Sequence, residues 1–294
     1  MRQLDVIASR PQYSAHLAPV LAALPPKRLG GGHGSAVIVC SASDLARAVQ
    51  AGYERVAYLE HGIGQTYGAT PGYPGGRGRQ HVGLFLSPND HAAARDRAAY
   101  PGARVEVVGD PVVATLPRRE PGPPAVAVSF HWDCTLVPEA RSALRHYRAA
   151  LRPLAARYPL LGHAHPRAVG RLEPLWRSLG VEWVPSWHDV LRRADAYVCD
   201  NSSTIYEFAS TGRPVVVLNA PWYRRHVEHG LRFWQAATVG VQVDQPGDLE
   251  AGVAQALEDR PEQQHLRQAA LGIVYAHPHD AAARAAAALE DWLG

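Results

Sequence analysis

The sequence predicts an α/β protein built from two doubly wound, parallel-sheet (Rossmann-like) domains facing a cleft. Three observations carry that expectation. Short, continuous apolar runs alternate with helical patterns along both halves of the chain, as in sheets buried on both faces. A stretch without periodicity, Pro117-Arg118-Arg119-Glu120-Pro121-Gly122-Pro123-Pro124, separates the halves. The 294 residues are enough for two cores of ordinary size.

In the first half, 1–116, strands are expected at 4–8, 36–40, 55–59, 82–86 and 104–108, with helical spacing over 13–24 and 44–50. Ser87-Pro88-Asn89-Asp90 reads as a helix start, with Ser87 as cap and Asp90 reaching back. After the linker at 117–124 the second domain is expected over 125–279. Its strands fall at 125–130, 159–163, 181–184, 196–199, 214–218 and 239–243, and its longest helix runs over 138–157. An amphipathic helix in 280–294 closes the chain.

Composition excludes several classes. Lys+Arg 30 against Asp+Glu 27 leaves +3, and lysine occurs only at Lys27, so the arginine content is read as a genomic preference with no nucleic-acid partner. Cys40, Cys134 and Cys199 are far apart and fit neither a disulfide framework nor a metal knuckle. No apolar run approaches ~20 residues, so no membrane span is expected. The expected location is the cytoplasm, peripheral contact at the inner membrane face being left open although no basic amphipathic stretch is read as marking it.

The strongest signal lies in 194–217, a strand, a polar turn, a helix and another strand. The turn Asp200-Asn201-Ser202-Ser203 falls at the carboxyl end of a parallel strand, where open α/β sheets bind ligands. Helix-terminal amides and two hydroxyls suit a phosphate, and Glu207 stands where it could accept from ribose hydroxyls. The plainer reading is a capping box made by Thr204 and Glu207.

This stretch resembles the donor-binding segment of the CDP-glycerol glycerophosphotransferase family, the teichoic-acid polymerases and primases of the GT-B glycosyltransferase superfamily. The family's pattern is an aspartate, an aromatic, a Ser-Ser pair, an acidic residue and Gly-x-Pro. Here it is met by Asp200, Ser202, Ser203, Glu207 and Gly212-Arg213-Pro214, with Asn201 where the family has tyrosine. Four further segments follow in the family's order. Glu60-His61-Gly62-Ile63-Gly64-Gln65 resembles its His-Gly loop, which implies His61 as general base and Gly62, Gly64 and Gln65 as an acceptor loop. Val107-Val108-Gly109-Asp110-Pro111 resembles the close of its first domain. Leu160-Leu161-Gly162-His163-Ala164-His165-Pro166-Arg167 resembles its His-Pro strand end, which implies His165 at the donor phosphate. His163 and Arg167 are read as completing a cationic site there. Asp280 to Arg284 partly matches its terminal segment.

The resemblance implies transfer of a glycerophosphate-type group from a CDP-linked donor such as CDP-glycerol to a hydroxyl acceptor of a surface polymer, lipid-linked in the family's polymerases. No metal or other cofactor is implied. Asp200, Asn201, Ser202, Ser203, Thr204 and Glu207 would hold the donor. Three other readings stay open: a UDP- or GDP-sugar glycosyltransferase, a UDP-sugar 2-epimerase-like enzyme, for which Glu60, Asp110 and Asp133 are weak carboxylate candidates, and a non-catalytic nucleotide- or glycan-binding protein.

Overall fold

Parallel pairing of short apolar strands builds two separate sheets in the computed structural model, which describes residues 2–32, 34–61, 78–135, 138–223 and 239–294. Gly62, Gly64 and Gln65 lie outside the described residues. The chain divides into unit 1, Met1–Thr115 with Ile273–Gly294, and unit 2, Leu116–Gly272.

Unit 1 carries β1 (Leu4–Val6), α1 (Pro11–Ala23), β2 (Ala36–Val39), α2 (Ala42–Gln50), β3 (Val56–Leu59), β4 (Val82–Ser87), α3 (Asp90–Ala99) and β5 (Arg104–Val107), with the five strands side by side in chain order. Every residue of β2 and β3 is buried, which is why these strands read as continuous rather than alternating apolar runs. The start of α3 departs from expectation. Its cap is Asn89, whose side chain accepts from Ala92 N–H at 2.8 Å, while Ser87 remains in β4 and donates to Asp96 at 3.1 Å. Asn serves here because its carbonyl reaches the third amide of the helix.

Unit 2 carries β6 (Val126–Val128), α4 (Leu144–Tyr147), α5 (Leu151–Arg157), β7 (Leu160–Gly162), α6 (Val169–Ser178), β8 (Glu182–Trp183), α7 (Trp187–Arg193), β9 (Ala196–Cys199), α8 (Thr204–Ser210), β10 (Val215–Leu218), β11 (Val241–Val243), α9 (Leu249–Glu258) and α10 (Pro261–Val274). Its strand order is β11-β10-β9-β6-β7-β8, all pairs parallel, the Rossmann arrangement. The long helix expected over 138–157 is broken into α4 and α5 by a 3-10 turn at Arg148–Ala150. Pro153 accounts for the break. It supplies no amide hydrogen, and its ring crowds the carbonyl four residues back, at Ala149. Gly162 is required by packing, because a Cβ there would stand 2.4 Å from the fully buried Trp176 ring.

The Pro-rich stretch is fastened to unit 2. Arg119 grips Asp195 at 3.1 and 3.3 Å, and the Glu120 amide donates to the Arg192 carbonyl. In the last turn of α10, at 273, the chain returns to unit 1, and α11 (Ala281–Leu293) packs its Ala285, Leu289 and Leu293 with Leu17 and Val20 of α1. Gly109, at φ 90°, lies against the Ala276 carbonyl, where a Cβ would stand 2.1 Å from the oxygen. This close approach gives the Gly109-Asp110-Pro111 turn its physical reason. Among the described residues no helix is long and apolar enough to cross a membrane.

Candidate functional site

The strand order of unit 2 reverses between β6 and β9, and ligands of open α/β sheets bind beyond the carboxyl ends of the strands at such a point. The segments 129–134 and 200–203 leave the sheet there. Asp200 is wholly buried. One of its oxygens accepts from the His131 amide and the other from the Ala143 amide, each at 2.8 Å. Expected at the donor, Asp200 instead points into the protein and ties three loops together, because two backbone N–H groups without other acceptors converge on it. Asn201 is also buried, its amide donating to the Arg141 carbonyl at 3.1 Å, so it too faces inward.

Ser202, Ser203 and Thr204 are half-buried and stay on the solvent side of the turn. The Thr204 hydroxyl donates to Ser202 Oγ at 2.8 Å and meets the Tyr197 hydroxyl at 2.9 Å. With a lone pair of Ser202 thus engaged, its own O–H is left to donate outward. The capping box is not formed. Ser203 caps α8 without a side-chain bond, and Glu207 accepts from the Trp187 indole N–H at 2.7 Å.

At the end of β7 the two histidines part company. His163 is buried, its Nδ1–H directed to the Val184 carbonyl at 2.8 Å and its ring stacked with Trp183. Burial lowers its pKa, so it is a neutral ring with Nε2 as acceptor. The expectation of two cationic imidazoles is therefore corrected. His165 is more exposed, and its Nδ1 accepts the Arg167 amide at 3.1 Å, which leaves the proton of the neutral ring on Nε2. Its ring lies 6.3 Å from Trp132, over which the Arg167 guanidinium sits at 4.7 Å.

The loop after β6 adds His131, which was not anticipated, beside Asp133. His131 Nδ1 faces the Ala140 carbonyl at 2.8 Å, its ring is 6.2 Å from His165, and burial lowers its pKa. Asp133, at φ 70°, accepts a forked pair from Arg141 at 2.8 and 3.2 Å, which holds its carboxyl below the ordinary range. Arg171 donates to the His131 carbonyl at 3.3 Å. The signal was present as the polar run His131-Trp132-Asp133 straight after an apolar strand.

His61 belongs to unit 1, at the end of β3. Its ring meets Tyr13 edge-on at 5.1 Å and His16 at 6.1 Å. His16 directs Nε2 to the Glu60 carbonyl at 3.1 Å and holds Nδ1 3.9 Å from Asp110. Glu60 receives both arms of the buried Arg79, at 2.9 and 3.1 Å. Glu60, Asp110 and Asp133 are thus all committed: the first to Arg79, the second to burial and the Val112 amide at 3.0 Å, the third to Arg141. Among the described residues no group of His, Cys, Asp and Glu could hold a metal ion.

No family model matches the chain, and no curated protein does. Solved structures do. The S. aureus MnaA–UDP structure superposes with a TM-score of 0.64 at 14% identity, covering 100% of this chain and 97% of its own. UDP-GlcNAc 2-epimerase from Neisseria meningitidis bound to UDP-GlcNAc gives 0.60 at 14%, with 100% of both chains covered. The wall teichoic acid polymerase TagF gives 0.59 at 10%, with 99% of this chain and 89% of its own covered. A TagF variant soaked with CDPG gives 0.64 at 10%, with 99% and 88% covered. The fold is accordingly that of the GT-B enzymes.

Proposed function

We propose that the protein is a transferase that holds a nucleoside-diphosphate-linked donor, of the CDP-glycerol type, on the β6–β9 end of unit 2 and passes its glycerophosphate-type group to a hydroxyl acceptor. The observation that carries this reading is the set of donors at the carboxyl ends of β9 and β7, on either side of β6. Ser202, with a lone pair taken by Thr204, keeps its O–H to donate after β9; His165, with its proton on Nε2, and the Arg167 guanidinium follow β7; and His131 between them bonds Asp200 through its amide and lies 6.2 Å from the His165 ring.

In the proposed reaction the acceptor oxygen attacks the phosphorus that bears the transferred group. The P–O bond to the nucleoside monophosphate breaks, and that monophosphate leaves with the bridging oxygen. His61 takes the acceptor proton. His165 and Arg167 offset the charge growing on the leaving phosphate, and Ser202 and Ser203 hold its oxygens. His131 and His163, neutral with Nε2 as acceptor, suit hydroxyl groups of the donor rather than its phosphates. Asp200 and Asn201 act as positioning residues.

A UDP-linked sugar donor is the second reading. It is favoured by the superposition on structures named for UDP and UDP-GlcNAc. Epimerisation is disfavoured because Glu60, Asp110 and Asp133 are all engaged within the protein. Calorimetry with CDP-glycerol, UDP-GlcNAc and a GDP-sugar, followed by turnover with the donor that binds, separates the readings. Absence of binding by all three rejects both.

A further inference from the structure

Glu60, the residue before His61, is fixed by every polar group it carries. Its amide donates to the Leu86 carbonyl at 3.2 Å. Its carboxylate receives the Arg79 guanidinium at 2.9 and 3.1 Å, and that guanidinium lies over the Tyr58 ring at 4.6 Å. Its carbonyl faces His16 Nε2 at 3.1 Å. A carbonyl only accepts, so Nε2 carries hydrogen and donates. The other nitrogen of the ring, Nδ1, faces Asp110 at 3.9 Å. Asp110 is in turn held by the Val112 amide at 3.0 Å, so the imidazole is braced between a buried carboxyl and the Glu60 carbonyl. Tyr13, Leu17 and Val20 carry the buried apolar face of α1. His16 stands at the margin of that face, partly exposed, with both ring nitrogens directed to polar groups.

We propose that His16 is a positioning residue that sets the orientation of His61 through the Glu60–His61 peptide. The atoms of a peptide unit are coplanar, so the direction of the Glu60 carbonyl fixes the plane that contains the His61 Cα. A hydrogen bond on that carbonyl therefore constrains the direction in which the His61 side chain leaves the chain. The ring contacts work to the same end. His16 and Tyr13 meet the His61 imidazole edge-on, at 6.1 and 5.1 Å, and limit its rotation. Asp110 acts one step further back, by holding the His16 ring with Nδ1 toward it. The consequence for transfer rests on the reading of His61 as the base. Displacing a catalytic group by about 1 Å can cost roughly a hundredfold in rate, and a base that does not touch the donor can be displaced with donor affinity unchanged.

The test compares His16→Gln, whose side-chain amide can still donate to the Glu60 carbonyl, with His16→Leu, which fills similar space and donates nothing. It reads steady-state turnover with the donor that calorimetry selects, and the imidazole nitrogen resonances of His61, identified by their loss in His61→Ala. His16→Leu should lower kcat about tenfold to a hundredfold, leave donor Kd within about twofold and move the His61 resonances. His16→Gln should recover most of the turnover and return the resonances toward their parental positions. His16→Ala takes the place of the leucine variant if that one fails to fold. Parental kcat in His16→Leu, equal loss in the glutamine and leucine variants, or a loss expressed through donor Kd alone would each overturn the proposal. A parent that turns over no donor would overturn the transferase reading alone. The resonances then decide on His16: movement in the leucine variant that the glutamine variant reverses supports it, and unmoved resonances overturn it.

Discussion

Replacing Asp200 by Asn should unfasten the floor of the candidate site without touching a ligand. The carboxylate is fully buried and takes the His131 and Ala143 amides at 2.8 Å, one on each oxygen. Hydrogen bonds to a charged acceptor contribute about 1.5–3 kcal/mol each. Asparagine keeps one acceptor but turns an NH2 toward the second amide, so one bond is lost with donor facing donor and the other loses its charge. The expected cost is about 3 kcal/mol, a large share of the ~5–15 kcal/mol that stabilises a typical domain. For a domain of this size that corresponds to a fall in Tm of roughly 10 °C. Tryptophan fluorescence during thermal denaturation is a suitable assay, since six of the seven tryptophans lie in unit 2 and Trp292 alone in unit 1. A shift below about 2 °C would refute the knot as the organiser of the three loops.

Further outcomes follow from the same geometry. His61→Ala should lower kcat at least about a hundredfold while leaving donor affinity nearly intact, as a lost general base requires; turnover and calorimetry on one preparation check both halves. Trp187→Phe removes the 2.7 Å bond to Glu207 and should weaken donor binding only if Glu207 contacts the donor, so equal affinity would release Glu207 from the site. Acid should destabilise unit 2. His131 and His163 titrate below their unfolded value, so the stability they contribute is present above about pH 6.5 and is lost as pH falls through their folded values; His131→Gln should flatten that slope in pH-dependent urea melts. Unit 1 should behave oppositely. Burial and Glu60 push Asp96 up to about 7, so the folded state loses stability as pH rises through that value, and Asp96→Asn should abolish the loss.

The alternation of strands and helices was readable because β2, β3, β9 and β10 are buried along their whole length, which leaves uninterrupted apolar runs in the sequence. The location of the turn after β9 was readable for the same reason. The directions of its side chains were not. Asp200 and Ser202 are two residues apart in one polar motif, yet one is wholly buried and the other half-exposed, a difference set by amides contributed from 131 and 143. His163 and His165 likewise look equivalent until Val184, Trp183 and the Arg167 amide assign their nitrogens.

The measurement that tests the central claim most directly is calorimetric titration of the parent chain and of Ser202→Ala/Ser203→Ala with CDP-glycerol, UDP-GlcNAc and a GDP-sugar. The account predicts that one nucleoside-diphosphate donor binds the parent and that the double variant binds it about a hundredfold more weakly, the loss of two charge-assisted hydrogen bonds. Equal affinity in the parent and the variant, or no affinity for any of the three, would contradict it.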